Sequence, residues 1–145
     1  MKSTFRLFVL IAAVITINLS GCEPVDNGST SGDARDPFIG EWQFLESGFL
    51  KSVQSQSYVV TITKDPNNSA QVILKNFGNA GSNDVSVFGL VTSSQIVVSS
   101  QKMSNGWTAE GSGSVTNPAK TIMAWDYSLI IAGSKETFTA TATKQ

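Results

Sequence analysis

The chain has 145 residues, of which 41% are hydrophobic and only 14% charged. That is enough apolar material for one packed domain, and the abundance of Ser, Thr, Gly and Asn at low charge favours an ordered all-β domain over disorder or a helical bundle. With no histidine, one cysteine and a formal net charge of −1, the sequence excludes Ser-His and Cys-His nucleophilic sites, histidine metal centres and an internal disulfide, and argues against nucleic acid as a partner.

The N-terminus carries an address. Lys2 and Arg6 form a basic start, and the run from Leu7 to Ile17 has no charge. It is too short for a comfortable membrane span but suits the apolar stretch of a signal peptide. Leu19-Ser20-Gly21-Cys22 follows at the right distance and resembles a bacterial lipobox. The resemblance implies that residues 1–21 are a lipoprotein signal peptide. It implies that Cys22 becomes the lipidated N-terminus, with palmitate among its acyl chains, and that the membrane is a partner through that lipid. The expected place is the cell envelope of a Gram-negative bacterium, at the outer membrane, on its periplasmic face or at the cell surface. Acylation also gives purpose to a lone exported thiol, which otherwise invites oxidation. Two or more chains anchor far better than one, at roughly 0.8 kcal/mol per buried methylene.

Residues 22–36 read as a flexible tether. Pro24, Gly28, Ser29, Thr30, Ser31 and Gly32 leave almost nothing to bury, so the segment cannot offset its ordering entropy. The acids Glu23, Asp26, Asp33 and Asp36 are opposed there by Arg35 alone. What remains, residues 37–145, is balanced between acids and bases, a scattered pattern with no electrostatic hold on anionic lipid.

The domain is organised around Asp36-Pro37-Phe38-Ile39-Gly40-Glu41-Trp42-Gln43-Phe44. Pro37, which has no N–H to donate, suits the start of a strand. Gly40 allows close approach of another segment. Trp42 and Phe44 share one strand face, opposite Glu41 and Gln43. From there the apolar period is two, and it predicts eight strands over residues 39–46, 57–64, 70–76, 85–91, 95–101, 106–115, 121–130 and 136–144. Turn chemistry falls between them. Asp65-Pro66-Asn67-Asn68, Asn105-Gly106, Asn117-Pro118 and Gly133-Ser134 are the clearest cases, and Asp65 with its asparagines is read as a turn rather than a calcium loop. Residues 45–56 are expected to cap one end, and residues 78–84 to form a long mobile loop. Eight antiparallel strands with short links predict a single up-and-down β-barrel, because closure removes both exposed edges.

Gly40-Glu41-Trp42 on a first strand ahead of such a meander resembles the Gly-x-Trp signature of lipocalins. Phe138-Thr139-Ala140-Thr141-Ala142-Thr143-Lys144 is similar to the closing strand of small lipocalin-like domains in bacterial lipoproteins. The resemblance covers residues 37–145 and implies an all-β, lipocalin-like barrel. Lipocalins place an arginine of the last strand over the tryptophan, and here Lys144 is what stands in that position. Gly40, Trp42 and Lys144 are thus expected to be structural.

No paired carboxylates, phosphate loop or basic aromatic patch is present in the sequence, and no cofactor is implied. The chain is expected not to be an enzyme. Two readings of its function follow. In the first, the barrel of a monomeric envelope lipoprotein binds a small apolar or amphipathic molecule, with Tyr58, Trp107, Trp125 and Tyr127 as lumen-facing candidates. In the second, a filled barrel contacts a protein or glycan partner through its loops. Gly111, Gly113, Ala140 and Ala142 favour lumen space, whereas Trp107, Trp125, Tyr127 and Phe138 favour filling.

Overall fold

The structure, a computed structural model, describes residues 32–48 and 55–145. The segment expected to be a signal peptide, Cys22 and most of the expected tether lie outside the described residues, as does half of the segment expected to cap one end. What is described is all-β. The strands are β1 Gly40–Gly48, β2 Gln56–Lys64, β3 Gln71–Lys75, β4 Ser86–Val91, β5 Gln95–Lys102, β6 Thr108–Val115, β7 Ile122–Ile131 and β8 Ser134–Lys144. Each pairs antiparallel with the next, and β8 returns to β1, so the sheet is a closed up-and-down barrel in sequence order.

The period-two pattern fixes which side chains fill it. Trp42, Phe44, Val60, Ile62, Val72, Leu74, Val87, Ile96, Met123 and Ala142 are all inaccessible to solvent, while their strand neighbours face out. Closure runs through Trp42↔Lys144, Phe44↔Ala142 and Glu46↔Ala140. The Lys144 ammonium lies 5.6 Å from the centroid of the Trp42 ring and donates a 3.0 Å hydrogen bond to the Pro37 carbonyl. The Trp42 indole N–H donates to the Phe38 carbonyl at 2.8 Å. Gly40 has φ +129°, a conformation L side chains rarely adopt, and a Cβ there would meet Lys144 Cε at 3.4 Å. This explains the glycine of the Gly-x-Trp pattern: it lets the lysine stem cross the start of β1.

Three expectations are corrected. Pro37 does not open β1. It sits in a short 3-10 turn, Asp36–Phe38, that folds Phe38 into the barrel; a fixed φ and a missing N–H suit the first turn of a helix as well as a strand start. The last hairpin turns at Ala132 and Gly133, both with positive φ, one residue earlier than expected, because a two-residue turn matched to strand twist needs left-handed backbone at both positions. Finally, Asp33–Asp36 belong to the folded unit rather than to the tether. Arg35 is only 8% exposed. Its guanidinium donates to the carbonyls of Asp65, Asn68 and Gln71, closing the β2–β3 turn, and to the Asp33 carboxylate. Lys64 completes the cluster through Asp33 and Asp36. The hydrogen bonds from Arg35, with Lys64, hold the Asp33 carboxyl well below the usual carboxylate range. A composition argument misses this because it counts apolar surface, whereas Arg35 is held by hydrogen bonds.

A fragment beginning at Gly32 is therefore expected to melt higher than one beginning at Asp36, and Arg35→Ala in the longer fragment should reproduce the loss. Thermal melts of the three proteins test it; equal melting temperatures would mean that the clamp contributes nothing.

Candidate functional site

The barrel has two ends. The near end carries the 3-10 turn, the β2–β3, β4–β5 and β6–β7 turns and the C-terminus. The far end carries the remaining connections. Glu46 lies six residues along β1 from Gly40, roughly 20 Å at strand rise, and so towards the far end.

Glu46 is the residue the sequence reading passed over. It shares parity with Trp42 and Phe44, and alternation aims its carboxylate inward; it is 5% exposed. A buried carboxylate needs donors, and two phenols supply them. Tyr127 donates to Glu46 Oε2, and Tyr58 lies 3.2 Å from the same oxygen. The two tyrosine oxygens are themselves 3.0 Å apart. Two hydroxyl protons serve three contacts, so an incoming N–H or O–H donor would complete the triangle. Burial above all, with the nearby Glu46 carboxyl, pushes the ionisation of both phenols well above the ordinary tyrosine range.

Aromatic rings surround this cluster. Tyr58 stacks on Phe44 at 5.6 Å, and Tyr127 lies 4.9 Å from Phe77 and 5.3 Å from Phe138. Trp125 is 5.7 Å from Phe44 and 5.3 Å from Phe77. The Trp125 indole N–H is buried and has no hydrogen-bond partner among the described residues. Of the four lumen candidates, Tyr58, Trp125 and Tyr127 come together here. Trp107 does not: it lies in the β5–β6 connection before β6 and is half-buried against the edge of the core. The Asn105–Gly106 turn, with Gly106 at φ +89°, delays the strand to Thr108. Phe77 was missed altogether. It follows Asn76, whose φ of 60° breaks the strand and folds the ring into the core, and no period-two pattern can reveal that.

The glycines expected to open the lumen do the opposite. A Cβ on Gly113 would fall inside the Trp125 ring, and one on Gly111 would fall against Tyr127. The large side chains of β7 fill the space that the small residues of β6 leave.

On the outer wall, Ser99, Ser100, Glu110, Asp126, Ser128 and Thr137, with Val98, Gly111 and Tyr127 beneath them, line a shallow groove of about 450 Å³. Lys135 bridges Glu110 at 2.6 Å and holds its carboxyl below the usual range.

The buried phenols make a pH prediction. Their folded ionisation lies above the unfolded value near 10. The stability they contribute is complete below about pH 10 and falls as the pH rises past it, because only the unfolded chain then ionises. Tyr127→Phe should flatten that alkaline loss. Melts from about pH 9 to 11, with tyrosinate absorbance followed in parallel, test it; an unchanged alkaline slope would refute it.

The architecture defines a class: a small, closed, eight-strand antiparallel β-barrel. A redesigned β-barrel resembles it with a TM-score of 0.53 at 13% identity, covering 81% of this chain and 99% of that one. The barrel EF1p2_mFAP2b bound to DFHBI gives 0.53 at 13% identity, covering 78% of this chain and 98% of that one. The redesigned barrel mFAP1, also bound to DFHBI, gives 0.50 at 12% identity, covering 78% and 100%. At such identities the likeness is one of fold. No protein-family model and no curated protein matches the chain.

Proposed function

We propose that this protein is a non-catalytic envelope lipoprotein, anchored through Cys22, whose lipocalin-like barrel binds a small amphipathic molecule towards its far end. The observation that carries the reading is the buried Glu46 carboxylate held by Tyr58 and Tyr127 beneath an aromatic wall. Carboxylate and phenols would receive a donor head group, and Phe44, Phe77 and Phe138 would take an apolar body. Two solved barrels of this architecture are bound to DFHBI, which lends the reading support from fold alone.

Native mass spectrometry of the protein purified from its own host tests it. A small molecule should be retained by the wild type and lost from Glu46→Gln and Tyr127→Phe, with circular dichroism confirming that the variants fold. A wild type showing only polypeptide and lipid mass would reject it. The anchor has a separate test. Cys22→Ala is expected to abolish acylation and release the protein from the membrane fraction; unchanged fractionation and mature mass would remove the lipoprotein reading.

A second reading, a filled barrel working through its outer surface, is favoured by the seating of Trp125 on Gly113. It predicts an empty native spectrum with a normally folded protein.

A further inference from the structure

The Glu46 cluster holds more acceptors than donors. A carboxylate offers about four lone-pair sites and no proton of its own. Its Oε2 takes the Tyr127 hydroxyl and lies 3.2 Å from that of Tyr58. Its other oxygen, Oε1, has no donor among the described residues. Nor does any ion pair among the described residues include Glu46: Arg35, Lys64 and Lys135 are engaged with Asp33, Asp36 and Glu110. A carboxylate that is only 5% exposed ordinarily has a counter-charge as well as hydrogen bonds.

The cluster lies close beneath an apolar rim. Glu46 pairs with Ala140 of β8, and Phe138 pairs with Gly48, the last residue of β1. Phe138 is thus the next inward residue of β8 towards the far end, roughly 7 Å further out at strand rise. It is half-buried, as are Ala80, Trp107 and Ile131. These three come from the β3–β4 connection, the β5–β6 connection and the end of β7, all at the far end. Below the cluster Trp125, seated on Gly113 and packed against Phe44 and Phe77, fills the lumen. A guest therefore brings its head to Glu46 and leaves its body among the rim residues. Rings stand beside the head: Tyr58 lies against Phe44, and Tyr127 between Phe77 and Phe138.

We infer that the head group taken at Glu46 is a cationic amine: the ligand is a protonated primary amine carried on an apolar body. This rests on the small-molecule reading proposed above and narrows it to one charge class. An ammonium brings three donors, no acceptor and the positive charge the site lacks. Its N–H groups would serve Oε1 and the free lone pairs of the phenols, and hydrogen bonds between charged partners are roughly twice as strong as neutral ones. Aromatic faces beside it favour a cation further. The other head groups fit less well. A carboxylate or phosphate adds acceptors and a like charge. An alcohol brings one donor and no charge, and a quaternary ammonium brings charge without an N–H.

The test uses the full chain and four probes that share one apolar chain: octylamine, octan-1-ol, octyltrimethylammonium and octanoate. Isothermal titration calorimetry at neutral pH, where octylamine is protonated, measures each. Octylamine should bind roughly tenfold more tightly than octan-1-ol. Octyltrimethylammonium should fall between the two, and octanoate should not bind. Glu46→Gln, with folding checked by circular dichroism, should bring octylamine down to the level of octan-1-ol and leave octan-1-ol unchanged. Equal affinity of the wild type for octylamine and octan-1-ol, or tighter binding of octanoate, would overturn the amine assignment while leaving a small-molecule site in place. So would an octylamine affinity that a folded Glu46→Gln protein retains in full. Failure of all four probes would overturn it too, and the small-molecule reading would then stand or fall by what native mass spectrometry finds retained. The wild-type series decides the matter even where Glu46→Gln does not fold.

Discussion

Trp42→Ala is expected to unfold the domain or leave it barely folded. The ring is wholly buried, and truncating a buried tryptophan costs about 3–5 kcal/mol, against a total of about 5–15 kcal/mol for a typical domain. Three features of this site push towards the upper figure. Trp42 lies on the closing strand pair, where it faces Lys144 across the β1–β8 ladder. Its N–H satisfies the carbonyl of Phe38, so truncation also loosens the turn that plugs the near end. The Lys144 stem loses the surface it covers. Lys144→Ala should cost much less, about 1 kcal/mol, because its ammonium stays partly wet and loses one cation–aromatic contact and one hydrogen bond to Pro37. Urea unfolding of the two variants decides the matter. If Trp42→Ala melted normally but lost a ligand, the tryptophan would belong to a binding site and not to barrel closure.

That closure was legible in the sequence because it depends on parity and count. Eight period-two runs with turn residues between them admit few topologies, and antiparallel closure places the start of the first run beside the end of the last. Parity and strand count alone thus place Trp42 beside Lys144, as the ladder has them. Parity also carried Tyr58, Trp125 and Tyr127 inward. It aimed Glu46 inward too, but a charged residue in an apolar strand is easily assigned to solvent, and its partners Tyr58 and Tyr127 lie 12 and 81 residues away. Arg35 and Phe77 were hidden for a different reason. One acts through hydrogen bonds to a turn some 30 residues on, the other through a positive-φ break that no pattern of side chains announces.

Gly113→Ala is the second large effect expected, and it bears directly on whether the lumen has room. The position lies mid-strand in β6, opposite Trp125 of β7, and is buried. Its backbone is one that alanine tolerates, so the penalty is purely steric. The added methyl would fall within the indole ring of Trp125. That ring cannot step aside, because Phe44 and Phe77 pack against it at 5.7 and 5.3 Å. Overpacking of this kind costs about 1–3 kcal/mol and sometimes more. The clash belongs to a pair, so the two changes should not add. In a Trp125→Phe background, where the second ring is gone, Gly113→Ala should cost distinctly less, with a coupling of about 0.5–3 kcal/mol measured by a double-mutant cycle in urea. A Gly113→Ala protein as stable as the wild type would mean that Trp125 can swing away. The barrel would then hold the adjustable space that a ligand deeper in the lumen requires. A large loss rescued by Trp125→Phe would confine any ligand to the Glu46 end, because the middle of the barrel is already occupied by its own tryptophan.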